Sequence, residues 1–168
     1  MRVPDCPLHG DLTVIRPASP DDADLLVGWH ADLEVARHWD WETFTRVEMV
    51  ERLARSDVDP YIVLENGEPV GYLQAWFDDD NPDEGVLAMF LISDARPPRV
   101  GSDSARTLAR WLLSVGGKRR VFVDPYVSNE RGIRAWTKAG FRSVGVRDAD
   151  HEHAETWLLM VMDPEPNL

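Results

Sequence analysis

The chain has 168 residues, 43% of them apolar and 29% charged, a size and balance that fit one folded domain and exclude both a disordered and a membrane-embedded chain. Its longest apolar run, Val86 to Ile92, falls far short of the roughly 20 residues a spanning helix needs, so no membrane partner is expected. A net charge of −12 excludes nucleic acid as the main partner, because phosphate binders cluster Lys and Arg, and suits a cationic ligand or simple solubility equally.

The opening MRVPDCPLHGDL has no apolar h-region, so no signal peptide is expected, and the lone Cys6 forms no intrachain disulfide; both point to the cytoplasm. Leu12 to Arg16 alternates and predicts a first strand. Ser19-Pro20-Asp21-Asp22 predicts a helix start, with a Ser cap, Pro in the first turn and acids at the positive end of the dipole. Leu25, Leu26 and Trp29 form its apolar side. A second helix opens at Thr45, where Thr45-x-x-Glu48 fits a capping box.

The period then changes. Tyr61 to Leu64 and Val70 to Phe77 flank Asn66-Gly67, the pattern of a β-hairpin. Residues 78–84 read as an acidic solvated loop, and Val86 to Ile92 as a strand buried on both faces. Ser102 to Val115 carries an apolar stripe and ends at Gly116-Gly117. A short strand at Arg120 to Val123, a helix from Asn129 to Ala139 closed by Gly140, and strands at 142–146 and 156–162 complete the chain. With no repeat or linker, residues 1–168 read as a single α/β (α+β) domain with a mixed, mainly antiparallel sheet.

Three features could carry chemistry. Arg96-Pro97-Pro98-Arg99-Val100-Gly101-Ser102 joins a strand to a helix N-terminus, where free N–H groups, two guanidinium groups and a hydroxyl suit an anion such as phosphate; an ordinary turn with solvated arginines is the alternative. Asp124-Pro125-Tyr126-Val127-Ser128-Asn129 places a carboxylate at a strand's C-terminal end, where open α/β sheets bind ligands. Asn129 is at least a helix N-cap. Seven Trp residues form a rich set; most Trp belong to cores, and one or two of these, Trp39 and Trp76 foremost, are expected to touch a ligand. His151-Glu152-His153 is not a zinc motif and reads as a solvated pair, so no metal is expected.

Taken together, these segments resemble the GNAT superfamily of acyl-CoA-dependent N-acyltransferases. The branch is that of aminoglycoside 6′-N-acetyltransferases and siderophore lysine N-acyltransferases. The resemblance lies in Asp124-Pro125 through Asn129 to Ala135-Trp136-Thr137-Lys138-Ala139-Gly140-Phe141, in the hairpin from Tyr61 to Gln74, and in Trp29 and Trp39. It implies the GNAT fold with helices on both sheet faces. It also implies acetyl-CoA, or another acyl-CoA, as co-substrate, and a small-molecule amine as acceptor, an aminoglycoside or other polyamine-like compound among the candidates. The enzyme would be a monomer or homodimer.

Pantetheine would lie along Phe90, Leu91 and Ile92, and pyrophosphate on Arg96, Arg99, Val100, Gly101 and Ser102. Asn129, Ile133 and Trp136 would flank the pantetheine arm. Asp124 would contact the amine as the catalytic and anchoring group, with Trp39, Gln74 and Trp76 lining the acceptor side.

The sequence departs from the family pattern in three places. Arg99 replaces a loop glycine, next to two prolines that lack N–H groups and ahead of Asp103, whose charge would oppose a phosphate. Leu87 stands where these enzymes carry an acidic or imidazole group, and Trp136 where they carry a tyrosine. These departures keep open a second reading, a GNAT-fold protein that binds a ligand or partner with weak or no catalysis.

Overall fold

The structure, a computed structural model, describes residues 7–92 and 99–166. Its strands are β1 (Leu8–His9), β2 (Thr13–Pro17), β3 (Val58–Glu65), β4 (Glu68–Trp76), β5 (Glu84–Leu91), β6 (Arg120–Val123), β7 (Arg142–Arg147) and β8 (Trp157–Met162). The helices are α1 (Ala23–His30), α2 (Leu33–His38), α3 (Arg46–Leu53), α4 (Val100–Ser114) and α5 (Glu130–Ala139). One sheet in the order β1-β2-β3-β4-β5-β6-β8-β7 contains all the strands, and every neighbouring pair is antiparallel except β5–β6.

Local chemistry accounts for most element boundaries. Asn66 and Gly67 both have positive φ, 49° and 79°, as a two-residue hairpin turn between β3 and β4 requires. Thr45 caps α3 through a reciprocal box with Glu48. Before α1, Pro20–Asp22 forms a single 3-10 turn, and the Asp22 carboxylate accepts from the Ser19 N–H and from both terminal nitrogens of Arg16. Gly140 stops α5 at φ 115°.

The central strands are apolar on both faces because both faces are covered. Tyr61, Val63, Leu73, Ala75 and Leu87 point into a core closed by α4 and α5, with Val100, Leu108, Leu112, Trp136 and Phe141. Ile62, Tyr72 and Phe90 point the other way and pack with Leu26, Val35 and Met49 of α1–α3. A period of two thus divides each strand between two cores.

The structure corrects five local expectations. β1 and α2 were missed, the first because it is two residues long and the second because one helical turn and a half carries no clear stripe. Glu84 opens β5 rather than closing the acidic loop. α4 starts at Val100, two residues before the expected Ser102. Finally, β5 is not buried on both faces throughout: Gly85, Leu87 and Phe90 are buried, while Val86, Ala88, Met89 and Leu91 are only half-buried. Beyond Val86 the cause is topological. β6 pairs with β5 only from Glu84 to Val86 and then diverges, so the edge of β5 beyond Val86 faces a gap.

Candidate active site

That divergence makes the site. A cavity of about 260 Å³ opens between the separating ends of β5 and β6. Its floor is Leu87, Ala88 and Met89 of β5 with Gln74 of β4, and one wall is Asp124, Pro125, Tyr126 and Asn129. Trp136 of α5 closes the base. His38, Trp39, Asp40, Glu42 and Arg52 of the early helical region form the opposite wall, and Glu152 and His153 of the β7–β8 connection form the rim.

The early wall is built on an aromatic cluster. Trp39 meets the edges of His30, Tyr72 and Phe90, with ring centroids 5.9, 5.9 and 5.4 Å away. His30 is 1% exposed; burial, and then the charge of Arg52, push its pKa down to about 4, so the ring is neutral. After Trp39 the chain turns through two left-handed residues, Asp40 (φ 52°) and Trp41 (φ 59°). This conformation costs energy in a bulky residue and persists only where its surroundings hold it. Here the Tyr126 hydroxyl donates to Asp40 Oδ1, fixing Asp40 against the opposite wall. The same hydroxyl accepts the N–H of Ala154 at 3.1 Å. Burial, followed by the Asp40 carboxylate, pushes the Tyr126 pKa up to about 12, so it stays protonated as a donor.

The structure sorts the expected site residues. Asp124, Asn129, Trp136, Trp39 and Gln74 converge on this cavity. Gln74 Oε1 accepts from the Tyr72 hydroxyl at 3.0 Å. Asn129 caps α5 with its oxygen, accepting from Gly132 N at 3.0 Å, and a Cβ on Gly132 would lie 2.5 Å from the Asn129 side chain. Trp136 is 6% exposed and stacks edge-on to Phe141, so the position expected to hold a tyrosine is mostly core. Leu87, 1% exposed, also belongs to the core while touching the cavity.

Other expected residues sit elsewhere. Trp76 does not line the cavity: it lies at the far end of β4, and its indole N–H donates to Asp57 Oδ2 at 3.1 Å. The Phe90 side chain points into the aromatic cluster, and its main chain faces β4 opposite Tyr72 rather than the open edge. Leu91 lies on that edge, and Ile92 N donates back to Val70 O. Arg96 lies outside the described residues. Ser102 lies inside the first turn of α4, where its hydroxyl donates to Arg99 O at 3.1 Å.

What remains at the start of α4 is backbone. The first N–H groups of a helix have no internal partner, and those of Val100, Gly101 and Ser102 stand at the end of the open β5 edge. A Cβ on Gly101 would come 3.3 Å from both Leu91 Cδ1 and Met89 Cε, so glycine keeps this helix end close to β5. Asp103 poses no obstacle to an anion there. Its carboxylate is turned away and accepts four hydrogen bonds from the β1–β2 turn, namely the N–H groups of Asp11, Leu12 and Thr13 and the Thr13 hydroxyl, at 2.8–3.0 Å.

The residue that sequence reasoning passed over is His153. Its Nε2 lies 2.7 Å from Asp124 Oδ2 and its Nδ1 2.8 Å from Asp150 Oδ1. The ring stacks on Trp157 at 4.1 Å and 14°. The side chain is 12% exposed, far from the solvated pair expected of His151 and His153. A hint existed in Asp150-x-x-His153 followed by Trp157, but only the strand register of β7–β8 brings this segment to Asp124.

The Acetyltransferase (GNAT) domain model matches residues 19–149. This chain belongs to the GNAT acetyltransferase family. Its curated relatives include the aminoglycoside N(6′)-acetyltransferases type 1 of Klebsiella pneumoniae and Serratia marcescens, each 27% identical, with 80% of this chain and 76% of the relative covered. Among solved structures it is similar to AAC(6′)-Ib in complex with paromomycin and acetyl-CoA, at TM-score 0.79 and 25% identity, covering 91% of this chain and 94% of the other. The complex of the same enzyme with ribostamycin and coenzyme A matches at TM-score 0.78, 25% identity and the same coverage. The eight-stranded sheet flanked by helices is the GNAT fold. Among the described residues no helix is long and apolar enough to cross a membrane.

Proposed function

We propose that this GNAT protein transfers an acetyl group from acetyl-CoA to a primary amine of a small polycationic acceptor, with aminoglycosides as the favoured class. The observation that carries this reading is a gap between β5 and β6 that meets an acid-lined cavity. The thioester arm would add to the free main-chain edge of β5 at Met89 and Leu91, whose N–H and C=O groups face away from β4, continuing the sheet as an extended segment does at any unpaired strand. Its pyrophosphate would sit on the free N–H groups at Val100–Ser102, with Arg99 as the charged partner. Asn129, Ile133 and Trp136 would border the arm.

The acceptor side is acidic. Asp40, Glu42, Asp124 and Glu152 line it against Arg52, His38 and His153, which suits an ammonium-bearing molecule. Solved relatives hold an aminoglycoside together with acetyl-CoA or coenzyme A. Catalysis would rest on holding the amine at Asp124 against the thioester carbon, so that positioning and local electrostatics supply most of the acceleration.

The test is calorimetric titration with acetyl-CoA, followed by thiol release with ribostamycin as acceptor. Binding, then release that drops at least 10-fold in Asp124→Asn, is expected. No binding at millimolar acetyl-CoA overturns the reading. Binding without turnover over a panel of amines leaves a GNAT-fold binding protein instead.

A further inference from the structure

The Asp124–His153–Asp150 chain has no role in the reading above, which uses Asp124 alone. Each imidazole nitrogen faces a carboxylate oxygen, Nε2 toward Asp124 at 2.7 Å and Nδ1 toward Asp150 at 2.8 Å. Ionised carboxylates only accept hydrogen bonds, so both contacts are satisfied together only when both nitrogens carry protons. The ring is held in place by more than charge. It stacks on Trp157, Tyr126 meets it edge-on with centroids 6.4 Å apart, and Asp150 Oδ1 also accepts the backbone N–H groups of Glu152 and His153. Further charged groups around it are Glu152 and Asp40 at the cavity, and Glu155, which accepts from Ser128 at 2.8 Å.

An acceptor ammonium and an imidazolium cannot share Asp124 without repulsion. Asp124 Oδ1 has no hydrogen bond among the described residues, so an incoming ammonium can bind there beside Nε2. From this juxtaposition we infer that His153 is the proton acceptor for the substrate amine, oriented by Asp150, and that it stands in for the acidic or imidazole group absent at Leu87. The inference rests on the transferase reading.

The steps balance. Ammonium binding at Asp124 drives the Nε2 proton of His153 to solvent through the open cavity. The freed Nε2 lone pair then takes one proton from the ammonium. The neutral amine attacks the thioester carbon, a C–N bond forms and the C–S bond breaks. The sulfur leaves as thiolate, which takes the second amine proton to give the thiol, and His153 returns to the imidazolium. Throughout, Nδ1–H stays on Asp150, which fixes the tautomer with Nε2 free.

The direction of the pH dependence follows. Burial alone would lower the His153 pKa, but the hydrogen bonds to Asp124 and Asp150 outweigh it and raise the value above the ordinary one. The basic form therefore grows as pH rises through that raised value. kcat/KM, which reports the free enzyme, should rise through it. kcat should rise at lower pH, because the bound ammonium lowers the pKa in the complex.

The experiment measures thiol release with acetyl-CoA and ribostamycin from pH 5.5 to 9 for wild type, His153→Gln and Asp150→Asn. Alongside, the imidazole of His153 is titrated by 15N NMR with and without ribostamycin. The inference expects His153→Gln to lose about 10²–10⁴-fold in kcat and its pH inflection, and Asp150→Asn to shift the inflection to lower pH. It expects ribostamycin to lower the NMR midpoint of His153. A His153→Gln variant with wild-type kcat and inflection, or an NMR midpoint that ribostamycin does not lower, overturns it. Wild type that binds acetyl-CoA and releases no thiol with any amine overturns the transferase reading instead, a result the variant comparison does not mimic.

Discussion

Replacing Asp103 with Ala removes the acceptor for four hydrogen bonds that tie the β1–β2 turn to α4. The four donors fare differently. Asp11 and Leu12 are exposed, so water replaces the carboxylate for their N–H groups at little cost. Thr13 is 2% exposed and would strand both its N–H and its hydroxyl. Each stranded buried donor costs about 1–3 kcal/mol, so the expected loss for the two is about 2–6 kcal/mol. For a domain of this size that lowers Tm by roughly 4–24 °C.

The assay is urea and thermal unfolding of wild type, Asp103→Ala, Thr13→Val and the double variant. Thr13→Val alone should lose only about 1 kcal/mol, and the pair should be strongly non-additive, since both report one contact. Acid provides an independent check. Burial works to raise the Asp103 carboxyl pKa, but the bonds from Leu12, Thr13 and Asp11 outweigh it and hold the value below the ordinary one. A depressed carboxylate contributes stability that is present above its unfolded pKa and is lost as pH falls through the folded one. The acid loss below about pH 4 should therefore shrink in Asp103→Ala. A stability change under 1 kcal/mol, or an unchanged acid limb, would refute the account.

His30, neutral with a pKa near 4 against about 6.5 in an unfolded chain, works in the opposite sense from His153. Its contribution is full above pH 6.5 and is lost as pH falls toward 4, by about 3 kcal/mol. Its Nδ1 has no hydrogen-bond partner among the described residues, so His30→Leu should unfold with less pH dependence between pH 4 and 6.5 in denaturant titrations. Asn129→Ala should cost about 1 kcal/mol as a lost N-cap, and Gly132→Ala should cost a similar amount despite better helix propensity, because its Cβ displaces the capping side chain; melting curves check both. Leu87→Asp, which restores an acid at the departing position, should fail to raise kcat and should lower stability by more than about 2 kcal/mol, since the site is 1% exposed core and a carboxylate there has no partner.

Much of this molecule was legible in short stretches of chain. Asn66-Gly67, Thr45-x-x-Glu48, Asn129 and Gly140 specify turns and caps through contacts within a few residues, and each forms as its chemistry requires. The motif from Asp124 to Phe141 places a carboxylate, a cap and a core Trp on one strand–helix unit, so Asp124, Asn129 and Trp136 reach the cavity together. The unbroken apolar run of Val86 to Ile92 marked a strand with apolar residues on both faces, without saying toward which core Leu87 and Phe90 point.

Tertiary structure decided everything that depends on distant segments meeting. Trp76 and Gln74 look alike as candidates along β4, yet the register with β5 puts Gln74 at the gap and Trp76 beyond it. Asp103 looks like a misplaced charge beside a phosphate loop until the β1–β2 turn, some ninety residues earlier in the chain, is seen to consume it. His153 looks solvated until β8 returns beside β6 and lays it against Asp124. The reason is common to all three. Propensity and pattern act over a few residues, whereas a carboxylate's partner is set by strand order and register, which only the folded sheet establishes.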